Sequence, residues 1–190
     1  MFNVRETDRT YSTYYYNENL KFSMIDSADA WAPWNKRKGE WMQLDLGKTF
    51  YVTGVVTQGR KTTLQYVTSY IVQTSMDGNK FTNINAGIPF AGNYDRSTRV
   101  RHDFESEDVR EARYVRFLVK TWGGGASPYP SMRAAVYARG KCETTNLEQN
   151  SGLIDVSNST ADLRNEPQSA RTYSSTYGGT SASSMLGSSS

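Results

Sequence analysis

The stretch Glu40-Trp41-Met42-Gln43-Leu44-Asp45-Leu46-Gly47 decides the fold. Met42, Leu44 and Leu46 fall on one side of an extended chain, and Trp41, Gln43 and Asp45 on the other. That two-residue period belongs to a half-buried strand. Asp45-Leu46-Gly47 ends it where glycine lets the chain turn. Outward from there, Tyr51 to Gln58 and Tyr66 to Thr74 are rich in β-branched residues, which suit a pleated surface. Met76-Asp77-Gly78-Asn79 supplies an Asp-Gly hairpin turn, and Phe81 to Ile84 returns as a short strand. Val100, His102 and Phe104 alternate with Arg99, Arg101 and Asp103. Val115, Phe117 and Val119 share a face, as do Met132, Ala134, Val136 and Ala138 in the last strand. No stretch holds a helical period for three turns. Short strands separated by turn residues predict an all-β, antiparallel sandwich or jelly roll.

A chain of 190 residues suits one domain plus appendages. With 37% apolar residues and 13 tyrosines, one core can be buried if the domain is shorter than the chain. No run approaches the roughly 18 apolar residues of a membrane span. The polar start, Met1 to Glu6, shows no secretory signal, and the single cysteine, Cys142, excludes an intrachain disulfide. Both favour an intracellular, reducing compartment. The sequon Asn158-Ser159-Thr160 matters only in a secreted protein. The net charge of +3 divides unevenly: residues 1–142 carry +6 and residues 143–190 carry −3. A basic domain favours an acidic partner, whether phospholipid, anionic glycan or protein. From Tyr173 to Ser190 the chain is mostly Ser, Gly and Thr, which cannot offset ordering entropy by burial. The expected organisation is a flank over 1–10, a domain over 11–142, and a low-complexity tail over 143–190 that is docked on a partner or disordered.

Several motifs, in order, resemble the discoidin family, also called the coagulation factor V/VIII type C domain. Ala30-Trp31-Ala32-Pro33 with Glu40 to Gly47 is similar to its first signature, and Val52 to Arg60 to its second. Gln65 to Tyr70 with Ser75 to Phe81, then Glu111 to Phe117 and Ser131 to Tyr137, complete the set. The resemblance runs from about Tyr11 to Cys142. It implies an eight-stranded, galactose-binding-like sandwich whose loops at one end bind glycans, anionic phospholipids or proteins. It also implies a structural calcium ion, with no assignable ligands, and a disulfide closing the domain. Cys142 stands where the second cysteine of that disulfide belongs, but no first cysteine exists. The loop Gly123 to Pro130 is longer than the family's and rich in Gly and Pro, which alters the binding surface around Tyr129.

The densest positive cluster is Trp34-Asn35-Lys36-Arg37-Lys38, in the region the resemblance assigns to the binding end. Three cations beside an aromatic suit a phosphate or an acidic protein surface; a solvated turn is the alternative. Arg60, Lys61 and Leu64 form a second candidate loop. With Leu64 its only apolar residue, that loop predicts no deep membrane insertion. Tyr94 offers an aromatic face to a sugar ring, or packs on the sandwich edge. Trp31, Trp41 and Trp122 read as core, and His102 as packing, since no second His or Cys accompanies it. No nucleophile and base share a spacing, no phosphate-binding glycine loop opens a helix, and no nucleic-acid motif is present. These residues therefore predict a non-enzymatic binding module without cofactor or metal. The foremost expectation is a protein-interaction component of a larger intracellular assembly, an acidic filament such as a ciliary microtubule being one specific case. The alternatives are a lectin for galactose-like glycans and a peripheral protein on anionic phospholipid.

Overall fold

The alternation that begins at Trp41 continues far past Gly47. A computed structural model of the protein describes residues 1–15 and 22–140. In it β2, Trp41–Gln58, is one strand of 18 residues rather than the two expected. Gly47 adopts a φ of 78° and its N–H meets the Asp45 carboxylate at 2.8 Å, so the strand bends without ending. Its pairing with β7 is interrupted between Asp45 and Phe50, where the bend falls.

The other strands are β1 (Arg9–Tyr11), β3 (Gln65–Ser75), β4 (Thr82–Asn83), β5 (Phe90–Ala91), β6 (Val100–Asp103), β7 (Arg110–Gly124) and β8 (Arg133–Arg139). All pair antiparallel, in the order β1-β2-β7-β3-β4, with β5 on β3 and both β6 and β8 on β2. The first half of β2 pairs β1 and β7, while its second half pairs β6 and β8. The sheet thereby folds over itself. Met42 and Leu44 from the first half meet Val55 from the second in one buried cluster with Val72, Phe117 and Val136. This is the all-β antiparallel sandwich that the alternation predicts.

Trp41 and the segment 1–10 depart from expectation. Trp41 lies on the solvent side of β2, not in the core, with the Arg116 guanidinium 4.2 Å above its ring. Trp31 is fully buried, and Trp122 packs half-buried against the cluster. The segment 1–10, expected as a flank, contributes to the sandwich. Phe2 bridges Val136, and the buried Arg9 guanidinium donates to the carbonyls of Val4, Ser23 and Ala134. A charged residue in a polar stretch reads as solvated, whereas here three carbonyls satisfy it. His102 packs between Phe90 and Tyr70, with its Nε2 2.7 Å from the Ala91 carbonyl oxygen. Cys142, the sequon and the tail 143–190 lie outside the described residues. Among those residues no helix is long and apolar enough to cross a membrane.

Candidate functional site

Because β2 doubles back, its two ends lie side by side. Trp31, just ahead of it, bridges Met132, while Gln58 at its end pairs with Arg133. The loops 32–40, 59–64, 92–99 and 125–132 therefore gather at one rim of the sandwich. Backbone contacts confirm the gathering. The Gly125 N–H donates to the Leu64 carbonyl at 2.8 Å. Gly124, at φ 132°, passes so close that a Cβ there would lie 2.0 Å from that same oxygen. Only glycine meets both conditions.

Of the predicted site residues, Trp34, Lys36 and Tyr129 come together, around Tyr15. Trp34 and Tyr129 both pack on Tyr15, with ring centroids 5.6 and 5.2 Å away. Lys36 sits 4.1 Å over the Tyr129 ring, and its ammonium donates to Ser127 Oγ at 2.6 Å. Tyr15 was hidden in a tyrosine-rich stretch without strand periodicity. It is placed by its N–H on the Ala32 carbonyl and by the Trp34 N–H on Thr13 Oγ1. Beneath them lies Glu40, only 1% exposed. It accepts from Ser12 Oγ at 2.5 Å, Thr13 Oγ1 at 2.6 Å and Arg37 Nε at 2.8 Å. Burial raises the pKa of its carboxyl, but these hydrogen bonds outweigh burial and hold it below the ordinary glutamate value.

Arg60, expected among the ligand cations, is engaged within the rim instead. Its guanidinium meets Asp29 at 2.6 Å and Gln65 Oε1 at 2.9 Å, and so acts as a strut. Arg37 keeps an exposed side chain but is tethered to Glu40. Lys38 and Lys61 are exposed with no ion pair among the described residues, and so is Arg96, which the sequence reading passed over. Trp34, Leu64 and Tyr94 present apolar surface from three different loops, at 56%, 46% and 68% exposure. The carboxylates of this rim are all occupied. Arg99 holds Asp26 below its usual range, Thr98 does the same for Asp95, and Asp29 receives Arg60 and Thr62.

No three of His, Cys, Asp or Glu gather among the described residues, and the rim's aspartates are engaged, so no cluster of carboxylates is offered there to the implied calcium ion.

A closed antiparallel sandwich whose loops converge on one rim defines a discoidin-type binding module. The chain belongs to the F5/8 type C domain family, whose model matches residues 8–133. It is 40% identical over 99 residues to coagulation factor VIII of Canis lupus familiaris, covering 50% of this chain and 4% of that protein. It is 37% identical over 99 residues to lactadherin of Mus musculus, covering 50% of this chain and 21% of that protein. The chain thus matches only a small part of these relatives. Among solved structures, discoidin II of Dictyostelium discoideum superimposes with a TM-score of 0.62 at 23% identity, over 73% of this chain and 57% of that one. That likeness confirms the fold.

Proposed function

We propose that the rim attaches this domain to an anionic phospholipid surface, without chemistry of its own. The observation that carries the reading is a single arrangement: exposed apolar tips at Trp34, Leu64 and Tyr94 among cations that lack an internal partner, Lys38, Lys61 and Arg96. Tryptophan and tyrosine favour the headgroup boundary, where an apolar ring and a polar edge are both solvated. Each uncompensated cation near an anionic leaflet contributes about 1 kcal/mol, so three together give on the order of 100-fold in affinity. Leu64 is the one apolar residue of its own loop, and Trp34 and Tyr94 add exposed apolar surface from neighbouring loops. The rim's carboxylates hold loops in place, which supports a non-enzymatic role. An anionic cytoplasmic leaflet also agrees with the intracellular placement expected from the sequence.

Sedimentation with phosphatidylcholine vesicles, with and without phosphatidylserine, tests the reading. Binding is expected only with phosphatidylserine and should weaken as salt rises. The double variant Trp34→Ala/Leu64→Ala should lose most of it while remaining folded. The triple variant Lys38→Ala/Lys61→Ala/Arg96→Ala should lose about 100-fold and flatten the salt dependence. Absence of any phosphatidylserine-dependent sedimentation ends this proposal. It returns the rim to an acidic protein partner within a larger assembly, or to a glycan.

A further inference from the structure

We propose that Arg133 is the positioning residue of the rim, the one side chain that sets its loops in a common geometry. Arg133 opens β8 and is 2% exposed. Its guanidinium donates from Nε to the Gly59 carbonyl at 2.8 Å, from Nη1 to the Ser27 carbonyl at 2.9 Å, and from Nη2 to the Arg96 carbonyl at 2.8 Å. Those carbonyls belong to three separate loops. In chain order, the first, with Ser27, leads on to Trp34 and Lys38, the second, with Gly59, carries Lys61 and Leu64, and the third carries Tyr94 and Arg96 itself.

A buried cation without a carboxylate on its donors is unusual. Desolvation lowers the pKa of Arg133, opposed by the more distant charges of Asp26 and Asp29. Those acids are bound elsewhere, Asp26 to Arg99 and Gln58, and Asp29 to Arg60 and Thr62. The burial is tolerated because each of the three guanidinium nitrogens donates to a backbone oxygen, and hydrogen bonds from a charged donor are about twice as strong as neutral ones. The guanidinium fork is planar and rigid, so three carbonyls on it are held at fixed mutual angles. A lysine nitrogen cannot span them. Gly59 completes the device, since a Cβ there would lie 2.2 Å from the Asp95 carbonyl oxygen. The absence of a side chain brings the second and third loops into backbone contact, within reach of one guanidinium.

The consequence is preorganisation. A ligand meeting a rim already ordered loses less conformational entropy on binding. The inference rests on reading the rim as the ligand face, but its first test does not depend on lipid. In the wild-type protein, backbone amide order parameters at residues 26–29, 59–61 and 95–98 should match the strands, near 0.85, whereas values below about 0.6 overturn the proposal. In Arg133→Met, which keeps the side-chain bulk and removes the donors, amide exchange at those loops should speed up at least tenfold. The amides of β7 should exchange as in the wild type. Faster exchange spread evenly over rim and β7 would instead make Arg133 an ordinary structural residue, and unchanged rim exchange would remove it from the rim altogether. Arg133→Lys, which keeps the charge and a single donor nitrogen, gives the same readout should the methionine variant not fold.

The second test uses phosphatidylserine vesicles. Arg133→Met should bind about tenfold more weakly, with the slope of affinity against salt unchanged, because Lys38, Lys61 and Arg96 remain. A lowered slope would mean that Arg133 acts as a contact charge, and would overturn its positioning role. If the wild-type protein itself fails to sediment, the lipid reading falls while the exchange measurements still decide the role of Arg133.

Discussion

The two ends of the sandwich use the same kinds of residues and arrive at different electrostatics. At the rim, carboxylates are consumed by loops and buried partners, which leaves Lys38, Lys61 and Arg96 unpaired. At the other end, an open cavity of about 500 Å³ is floored by Phe2, Val4 and Leu46 and bordered by Arg5, Asp8, Asp45 and Arg113. There the arginines have carboxylates: Arg5 on Asp8 at 3.4 Å, Arg113 on Asp45 at 2.8 Å and Arg110 on Asp108 at 3.1 Å. Lys48 and Lys80, also of that end, are exposed, as are Glu105 and Glu107. Asp77 serves its turn, where the N–H groups of Lys80 and Asn79 lower its pKa to about 2. A charge count finds a basic domain; the pairing pattern shows which of its arginines keep a carboxylate partner.

The largest expected effect strikes both ends together. Phe117 is fully buried between the halves of the folded sheet, with its ring 5.7 Å from that of Tyr70. Phe117→Ala should lower stability by about 3–5 kcal/mol in urea unfolding, through lost transfer energy and a residual cavity. Exchange protection should fall at the rim and at the opposite end alike. If the rim kept its protection while the other end lost it, the loops would be held independently of the core, and the two ends could not be compared as parts of one folding unit.

Next in size is the removal of Glu40, whose effect should stay at the rim. Glu40→Gln keeps the shape but loses the charge that holds Ser12, Thr13 and Arg37, at a cost of about 2 kcal/mol. The pH dependence follows from its lowered pKa. The folded protein holds the carboxylate more tightly than the unfolded chain does. The stabilisation is therefore complete above the unfolded value of about 4.3 and is lost as pH falls through the folded value. Asp45 is likewise lowered by Arg113 at the other end. Glu40→Gln should consequently remove only part of the acid sensitivity. The part removed should be reported by Trp34 fluorescence, which senses the loop above Glu40. An unchanged acid transition in that signal would break the assignment of Glu40 to the rim.

The contrast between the ends also marks how far the sequence could be read. The core was legible, since Met42, Leu44, Val115, Phe117 and Val119 fall on the buried face that strict alternation assigns them. The same alternation placed Trp41 opposite Met42, and the solvent side is where it lies; reading it as scaffold core went against its own register. The structure also brings Trp34, Lys36 and Tyr129 together, three of the residues singled out in the sequence. Which cations are free was not legible. Arg60 is engaged by Asp29, 31 residues away, and Arg133 by carbonyls 37 to 106 residues away. No local pattern announces such partners, because a charged side chain between strands reads as solvated whether or not the fold closes over it. Arg133 left one trace, a cation heading the apolar run Ala134-Ala135-Val136. Glu40 left none.

The smallest effect sharpens the comparison most. Arg5 and Lys61 carry the same unit charge, and both are exposed. Arg5 faces Asp8 at the end away from the loops, in an exposed pair worth no more than about 0.5 kcal/mol. Arg5→Ala should therefore leave stability nearly unchanged in thermal melts and should not alter affinity for phosphatidylserine vesicles. Lys61→Ala, which removes one unpaired charge at the rim, should weaken that affinity about fivefold, the equivalent of about 1 kcal/mol. Equal losses from the two substitutions would mean that the net charge of the domain, rather than the pairing at one end, draws it to an anionic surface. In that case the rim would hold no advantage over the opposite end.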